Sequence, residues 1–560
     1  MDFANFFNFR SLTFTAPFAM IKQISKGVFT MLTTEQKQRI DKIFDLWVQH
    51  QGAGGQLLVV HKGETVYEKC YCYADVDTKE PITQDSIFAV ASVSKQITAM
   101  SIMILHDRGI INIHDEVRKY LPEVAQYPQK FTISNMLHHT SGLRECLDLN
   151  SIKDKPEGYV LTVPGVMEIM AKQKSLDFEP GTKFVYNNSG YIMMAALVER
   201  VSGMNMQEFA KKNIFDPLGM TSSYFRGCLD YEVPGRVKGH HDDGTTYTSV
   251  QGNSRTYGSG GLITTCRDMA KFMPQYKNPT LVSKETMELY LTIPPLADGT
   301  VTNYACGVRI NELLGHKYYH HGGVTAGFRA FTVIFPDDDL IVCVFTNTYN
   351  IPIETAGRDV ARVVLGLPER TIKDPTQFKG AAVDIDTVSG YYLSKARTKS
   401  YHIKVEDGKA YVRFNNKWAP LYHTGGNMYK MGRRNIAFFF GENPIVFQEG
   451  GVHELVKMTA EPKDITPYVG KYYSTEAEGT FTVSIEDGTL MLTTPAKVKE
   501  PMFLIENELF NYGSMTSTPK NIRFNRDEKG NIISLSYSSP MMAGLKEIPD
   551  IKGLEFKKEA

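Results

Sequence analysis

The sequence carries no excess of charge of either sign. Lysine and arginine together number 62, and aspartate and glutamate together also number 62. Because recruitment of nucleic acid or of an anionic membrane surface depends on a net positive field, this balance argues against both kinds of partner. We predict a small molecule or a short peptide as the substrate, and both a monomer and a homodimer stay open.

Paired cysteines are also missing. The seven cysteines are an odd number, they lie between residues 70 and 343, and no Cys-x-x-Cys spacing occurs. A disulfide framework needs an even set, and structural zinc sites usually show closely spaced cysteine pairs. We therefore predict neither a disulfide framework nor a zinc site, and no motif of the chain implies a metal or a cofactor.

Long apolar runs are absent as well. No stretch of about 18 uncharged apolar residues, the length of a membrane-spanning helix, occurs in the chain. Residues 1–30 have Asp2 near the start and polar interruptions, unlike the basic, apolar and small-residue order of a signal peptide. We predict a cytoplasmic protein with an N-terminal extension at residues 1–30, while secretion stays open.

Two predicted strand pairs lie far apart in the chain. Runs typical of strands flank short turns at residues 56–73 and 330–346, and helical signals dominate between residues 85 and 350. Two hairpins with helices inserted between them indicate an antiparallel α+β domain, which we place at residues 31–375. A helix behind a threonine cap is predicted to open it, after residue 33.

The C-terminal part of the chain repeats itself with a period of 80 residues. Asp384-Ile385 aligns with Asp464-Ile465, and Glu406-Asp407-Gly408 aligns with Glu486-Asp487-Gly488. Asp-Gly between alternating strands is a strong hairpin signal, and a closed barrel hides the edges of such strands. We predict two small antiparallel β-barrel domains at residues 376–462 and 463–560.

Ser92-Val93-Ser94-Lys95 begins an apolar helical segment that runs to Arg108. Residues three apart share a helix face, so the Lys95 amine can reach the Ser92 hydroxyl, and burial makes a lysine a better proton acceptor. The spacing predicts a nucleophile with its base. Taken alone the pattern is weak, because Ser517-Thr518-Pro519-Lys520 matches it too.

Two further motifs follow in order. Tyr186-Asn187-Asn188 precedes an apolar helix; a tyrosine hydroxyl near a lysine can relay protons, and the Asn188 amide can hold both lysine and substrate. The glycines of His321-Gly322-Gly323-Val324 let a strand edge approach a ligand, so the backbone N–H groups of Val324 and Ser92 would form an oxyanion hole. The bland alternatives are a capped turn for the first motif and a simple turn for the second.

The ordered set of three motifs resembles the serine β-lactamases, the penicillin-binding proteins and their esterase and D-aminopeptidase relatives. The stretches at residues 137–143, 217–221 and 258–262 are similar to family segments that frame the site. The resemblance implies a β-lactamase/transpeptidase-like antiparallel sheet with flanking helices, and the two C-terminal domains, which we describe as lipocalin-like, are similar to those of bacterial D-aminopeptidases.

One departure from the family bears on the substrate. His321 stands where β-lactamases and transpeptidases mostly carry lysine, and histidine is largely uncharged near neutral pH. The resemblance therefore implies a serine hydrolase acting on small amides or peptides, most simply a D-aminopeptidase or D-peptidase. In this reading Ser92, Lys95 and Tyr186 are catalytic, and Asn188, His321, Gly323 and Val324 bind the substrate or its oxyanion. A carboxylesterase, a β-lactamase and a penicillin- or muropeptide-binding sensor without turnover are the alternatives.

Overall fold

The computed structural model describes residues 31–559 apart from 229–231, 251, 253, 350, 372–373, 397–398, 415–416, 433, 435, 449–450, 459–463, 507, 513–519 and 539–553. The predicted extension at residues 1–30 and the predicted boundary between residues 462 and 463 lie outside the described residues. The boundary at residue 375 also stays a prediction.

In the described part of the chain, helices other than short 3₁₀ turns lie before residue 365. The α-helices are α1 (Thr34–Ile43), α2 (Asp45–His50), α3 (Ser94–Asp107), α4 (Ile133–Leu137), α5 (Cys146–Ser151), α6 (Val163–Ala171), α7 (Asn188–Ser202), α8 (Met206–Ala210), α9 (Asp216–Leu218), α10 (Cys266–Phe272), α11 (Lys284–Leu291) and α12 (Ile353–Val364). A π-helical turn spans Lys211–Phe215. The 3₁₀ turns are Ala91–Val93, Val117–Lys119, Arg226–Cys228, Met273–Tyr276, Pro375–Phe378, Ile385–Val388 and Thr466–Tyr468.

Strands occur in both parts of the chain. In the first part they are β1 (Gly55–His61), β2 (Glu64–Tyr71), β3 (Tyr73–Asp75), β4 (Glu80–Pro81), β5 (Phe88–Ala89), β6 (Tyr224–Phe225), β7 (Gly239–Asp242), β8 (Tyr247–Val250), β9 (Leu262–Thr264), β10 (Arg309–Leu313), β11 (His316–Thr325), β12 (Phe328–Phe335) and β13 (Leu340–Thr346). In the second part they are β14 (Gly390–Ser394), β15 (Ser400–Glu406), β16 (Lys409–Phe414), β17 (Lys417–His423), β18 (Met428–Lys430), β19 (Ile436–Phe439), β20 (Ile445–Gln448), β21 (Gly451–Met458), β22 (Gly470–Ser474), β23 (Gly479–Glu486), β24 (Thr489–Thr493), β25 (Lys499–Glu506), β26 (Leu509–Tyr512), β27 (Lys520–Arg526), β28 (Ile532–Ser538) and β29 (Glu555–Lys558).

The main sheet joins the two ends of the first domain, in the order β10-β11-β12-β13-β1-β2. β1 pairs antiparallel with β13, with Leu58 opposite Cys343. Successive side chains of a strand point to opposite faces. Leu58 accordingly packs into the core around α3 and α7, whereas Leu57 and Val59 pack into the core beside α1 and α12. A sheet covered by helices on both faces confirms the predicted α+β class.

The helix that carries the first motif runs through the middle of the larger core. All residues of α3 from Ser94 to Leu105 are buried. The segment predicted as helix from Ser92 is a 3₁₀ turn, Ala91–Val93, continued by α3. The α1 helix begins behind Thr33, whose side chain caps it together with Gln36, as the threonine signal predicts.

Two closed antiparallel barrels, β14–β21 and β22–β29, follow the first domain. Asp407-Gly408 and Asp487-Gly488 both adopt positive φ in the turns between their strands, which the Asp-Gly signal predicts. The prediction of two small β-barrels is therefore confirmed. In the described part of the chain, no helix has the length and apolar character needed to cross a membrane.

The second barrel contacts the first domain through the turn between β22 and β23. Glu476 pairs with Arg144, whose side chain is only 1% exposed. In the same turn Glu478 accepts a hydrogen bond from Lys172 at 2.6 Å and pairs with Lys153. This contact lies beside the segment that carries Glu145, a residue of the candidate site.

Candidate active site

Ser92 lies on the 3₁₀ turn that leads into α3. Its neighbour Ala91 adopts φ 47°, in the left-handed region that L-residues other than glycine seldom occupy. Such backbone strain persists where the surrounding structure holds it, and it occurs preferentially at functional sites. The turn places Ser92 on the wall of a cavity of about 300 Å³.

Lys95 lies one helical turn after Ser92 and is fully buried. Its Nζ donates to the Ser92 hydroxyl at 3.2 Å, to Asn188 Oδ1 at 2.8 Å and to the Ser259 carbonyl at 2.8 Å. Burial lowers the pKa of Lys95 from 10.5 to about 7, although the charge of Glu145 opposes the change. A substantial share of the amine is therefore neutral near pH 7 and able to accept a proton.

Asn188 is the first residue of α7 and connects Lys95 to a buried carboxylate. Its Oδ1 accepts from Lys95, while its own backbone N–H and side-chain Nδ2 donate to Glu145 at 2.6 and 3.2 Å. Burial raises the pKa of Glu145 to about 7. The carboxylate fixes the orientation of the Asn188 amide, so that its oxygen faces Lys95.

Glu145 was not predicted as a site residue. It lies 43 residues before Asn188 in the chain, and no recognised spacing connects the two. The available signal was its position two residues after the stretch at residues 137–143, which resembles a family segment that frames the site.

Tyr186 approaches the same group of residues from the loop before α7. Lys95 Nζ lies 4.7 Å from the centre of the Tyr186 ring. The Tyr186 hydroxyl is buried. Burial raises the pKa of Tyr186 well above 10, and the nearby Ser92 hydroxyl opposes that rise only in part. The phenol is therefore protonated at neutral pH and has a proton to donate.

The strand β11 brings its glycines against the turn that carries Ser92. A Cβ atom on Gly323 would lie 3.0 Å from the Ser92 backbone nitrogen and would also contact the Val90 carbonyl. Only glycine allows this approach of two backbones. Val324 follows it and lines the cavity together with Ser92. An oxyanion hole made by the backbone N–H groups of Ser92 and Val324 stays a prediction.

His321 lies deeper than the other predicted residues and is 4% exposed. Its Nε2 is 3.0 Å from the Tyr304 hydroxyl and its Nδ1 is 2.6 Å from the Gly322 carbonyl. Its ring centre is 6.2 Å from that of Tyr186, so Tyr304 rather than Tyr186 is its hydrogen-bond partner. Burial and the charge of Lys95 hold the pKa of His321 well below its ordinary value. A role in substrate binding stays a prediction.

The structure thus brings Ser92, Lys95, Tyr186, Asn188, Gly323 and Val324 together around one cavity, with His321 behind them. Tyr276-Lys277-Asn278 has the same Tyr-x-Asn spacing as Tyr186-Asn187-Asn188 but lies elsewhere, since the Tyr276 hydroxyl donates to Gln96 in the core. Ser517 of the competing Ser-x-x-Lys pattern lies outside the described residues. Among the residues that the structure describes, no group of three or more His, Cys, Asp or Glu side chains could hold a metal ion.

Comparison with known proteins places this geometry in context. A family model described as Beta-lactamase matches residues 36–367, which is more than half of the chain. Penicillin-binding protein 4* of Bacillus subtilis is 26% identical over 450 residues, covering 75% of this chain and 99% of that protein. A D-aminopeptidase of Gluconobacter oxydans is 24% identical over 341 residues, covering 60% of this chain and 64% of that protein.

Among solved structures, the octameric penicillin-binding protein homologue from Pyrococcus abyssi superposes with a TM-score of 0.54. The two chains are 21% identical, and the match covers 82% of this chain and 98% of that one. At this level of identity the likeness is one of fold. It agrees with the main sheet and helices described above.

Proposed function

Since the chain belongs to the beta-lactamase family and is a serine hydrolase, we propose that it hydrolyses small amides or short peptides through an acyl-enzyme at Ser92, as a D-aminopeptidase or D-peptidase does. The observation that carries the proposal is the Lys95 amine, which lies 3.2 Å from the Ser92 hydroxyl and whose pKa burial lowers to about 7. A nucleophile paired with a base of that pKa is what acyl transfer at neutral pH requires.

Acylation begins when the Ser92 oxygen attacks the substrate carbonyl carbon and its proton passes to neutral Lys95. The carbonyl oxygen becomes an oxyanion, which the backbone N–H groups of Ser92 and Val324 stabilise. Asn188, held by Glu145, keeps the lysine in position and offers no competing proton.

The leaving group departs with a proton from Tyr186, whose raised pKa keeps the phenol protonated. The phenol regains its proton from the Lys95 ammonium, whose Nζ lies 4.7 Å from the tyrosine ring. Water then attacks the acyl carbon and gives a proton to Lys95, which passes it to the Ser92 oxygen as the bond to the acyl group breaks. The products are the carboxylic acid and the enzyme with neutral Lys95 and a protonated Ser92 hydroxyl.

The residues that line the cavity also bear on which substrates the site accepts. An aminopeptidase binds its substrate's ammonium with an anion, and the described residues that line the cavity include no carboxylate. Glu145 lies directly behind Asn188, where both of its oxygens already accept hydrogen bonds. Glu145 is therefore not the anion for that ammonium, and cleavage of a D-alanine anilide tests whether the site accepts a free ammonium group without it.

Active-site labelling tests the proposal. Wild type and Ser92→Ala are treated with a fluorophosphonate and, separately, with a penicillin, followed by intact-mass measurement and peptide mapping. Ser101→Ala is the matched control, because Ser101 is buried on α3 and only bonds the Ile97 carbonyl of its own helix. We expect one adduct, on Ser92, in wild type and in the control. Folded protein that is never labelled at Ser92 would refute the mechanism.

Two rival activities of the same site are separated by turnover. A carboxylesterase would hydrolyse aryl esters but not D-alanine anilides, whereas the proposed enzyme cleaves the anilide. A sensor without turnover would keep a stable penicillin adduct on Ser92 and release no product. The presence of both Lys95 and Tyr186 next to Ser92 supports turnover over the sensor.

A further inference from the structure

Two arginines line the cavity that contains Ser92. Arg226 begins the 3₁₀ turn after β6, and Arg236 lies just before β7. The Arg226 backbone N–H donates to the Gly261 carbonyl at 2.9 Å. A Cβ on the preceding Gly260 would be 3.9 Å from Ala91, the neighbour of the nucleophile. The turn that holds Arg226 therefore bonds to Gly261, and the adjacent Gly260 lies close to the turn that carries Ser92.

The charge of the two guanidinium groups is only partly compensated. Glu232 accepts from Arg226 at 3.4 Å and from Arg236 at 3.1 Å. The Glu232 side chain is 67% exposed, whereas those of Arg226 and Arg236 are 26% and 16% exposed. Among the residues that the structure describes here, Glu232 is thus a solvent-facing carboxylate shared by two largely covered cations, and exposed ion pairs of this kind contribute little free energy.

The cavity beside Arg226 and Arg236 also contains groups that can donate hydrogen bonds to a ligand. Arg236 Nε is buried and has no hydrogen-bond partner among the described residues. Burial and the adjacent charge of Arg226 lower the pKa of Arg236, while Glu232 opposes the change. The Ser254 and Thr256 hydroxyls, 2.8 Å apart, line the same cavity. Guanidinium groups and hydroxyls together make a site that suits a carboxylate.

We propose that Arg226 and Arg236 form a carboxylate-binding subsite in the cleft of Ser92, so that the preferred substrates carry a carboxylate besides the scissile carbonyl. This inference rests on the proposed hydrolysis at Ser92 and adds the chemical class of its substrate. Binding exchanges Glu232 for the substrate's carboxylate, and Glu232 turns into solvent. No bond is made or broken in the exchange.

Pairs of substrates that share their carbon chain and differ in the presence of a carboxylate test the subsite. On the acyl side, the 4-nitrophenyl monoester of glutaric acid is compared with the 4-nitrophenyl ester of valeric acid. On the leaving-group side, D-alanyl-D-alanine is compared with its C-terminal amide. We expect the acid of one pair to be preferred in kcat/KM by about 10- to 100-fold, the range for a hydrogen bond to a charged group. The pair that shows the preference identifies the side of the substrate that carries the carboxylate.

Variants distinguish binding from a merely structural ion pair. Arg226→Gln and Arg236→Gln should lower the acid-to-neutral ratio of kcat/KM toward one, whereas Glu232→Gln should raise it, because the competing carboxylate is gone. If the three residues only held the loop together, all three changes would move the ratio equally or leave it unchanged. Arg200→Gln is the matched control, since Arg200 forms a surface pair with Glu123 and should leave the ratio unaltered.

The outcomes separate this inference from the proposed function. Equal kcat/KM for acid and neutral substrates in both pairs, with Ser92 labelled by fluorophosphonate, would overturn the subsite alone. Absence of both labelling and hydrolysis in folded wild type would overturn the proposed function and the subsite together. Thermal unfolding of each variant establishes that it is folded before its ratio is interpreted.

Discussion

Replacing Lys95 with methionine separates the energetic cost of the buried amine from its catalytic use. Lys95 is fully buried, and burial lowers its pKa from 10.5 to about 7. In the unfolded chain the amine regains its ordinary pKa, so between about pH 7 and 10 the unfolded state binds more protons than the folded state. The free energy of unfolding of the wild type therefore rises with pH in that window, by about 1.4 kcal/mol per pH step from this group.

Lys95→Met removes the titrating group and keeps a side chain of similar length. We expect the stability of wild type relative to the variant to increase by about 2 kcal/mol between pH 7.5 and pH 9. Glu145 contributes little in this window, because burial raises its pKa only to about 7 and its effect is complete below pH 7.5. The rate of Ser92 acylation by wild type should fall below about pH 7, as Lys95 becomes protonated.

Urea unfolding at both pH values measures the difference, followed by tryptophan fluorescence in a Trp418→Phe background so that buried Trp47 is the reporter. Lys409→Met is the control, because Lys409 is exposed at the start of β16 and its loss should not alter the pH dependence. If wild type and Lys95→Met showed parallel pH dependence, the buried amine would keep its ordinary pKa. The assignment of Lys95 as the neutral base would then be wrong.

Two other substitutions examine the remaining parts of the site. Tyr186→Phe removes the proton donor, so kcat/KM for hydrolysis of an anilide should fall about 100-fold or more. Hydrolysis of a 4-nitrophenyl ester should fall much less, because its leaving group needs no proton. Equal losses of kcat/KM for the two substrates would contradict the role of Tyr186. Gly323→Ala places a methyl group 3.0 Å from the Ser92 nitrogen, so fluorophosphonate labelling should slow by about 100-fold. Gly380→Ala, where a Cβ meets its nearest neighbour at 3.4 Å, is the control, and an unchanged labelling rate in Gly323→Ala would refute the oxyanion hole.

The sequence patterns that predicted correctly are those with a short physical range. Ser92 and Lys95 are three residues apart at a helix start, and that spacing suffices to bring their side chains within 3.2 Å. The Asp-Gly turns at residues 407 and 487 need no tertiary context either. The order of the three motifs indicated the family, and the family model that matches residues 36–367 confirms it.

What the sequence did not reveal depends on burial and on long-range contact. Glu145 is a carboxylate inside the core, where charged groups are seldom found, and its partner Asn188 is 43 residues away. The contact between His321 Nε2 and the Tyr304 hydroxyl also joins residues 17 positions apart, and no motif connects them. Arg226 and Arg236 belong to no motif, and only the fold shows that both line the cavity of Ser92.

The adjacent residues Arg144 and Glu145 lie between the second barrel and the residues around Lys95. The Arg144 guanidinium pairs with Glu476 of the barrel and donates to Gln173 at 2.8 Å, while its carbonyl accepts from Ser189 at 2.6 Å. Glu145 holds Asn188, the residue before Ser189. The Arg144 guanidinium also lies 3.5 Å from Asp177, so the barrel's Glu476 shares this buried cation with a carboxylate of the first domain. The second barrel therefore contacts the segment whose next residue, Glu145, holds Asn188 beside Lys95.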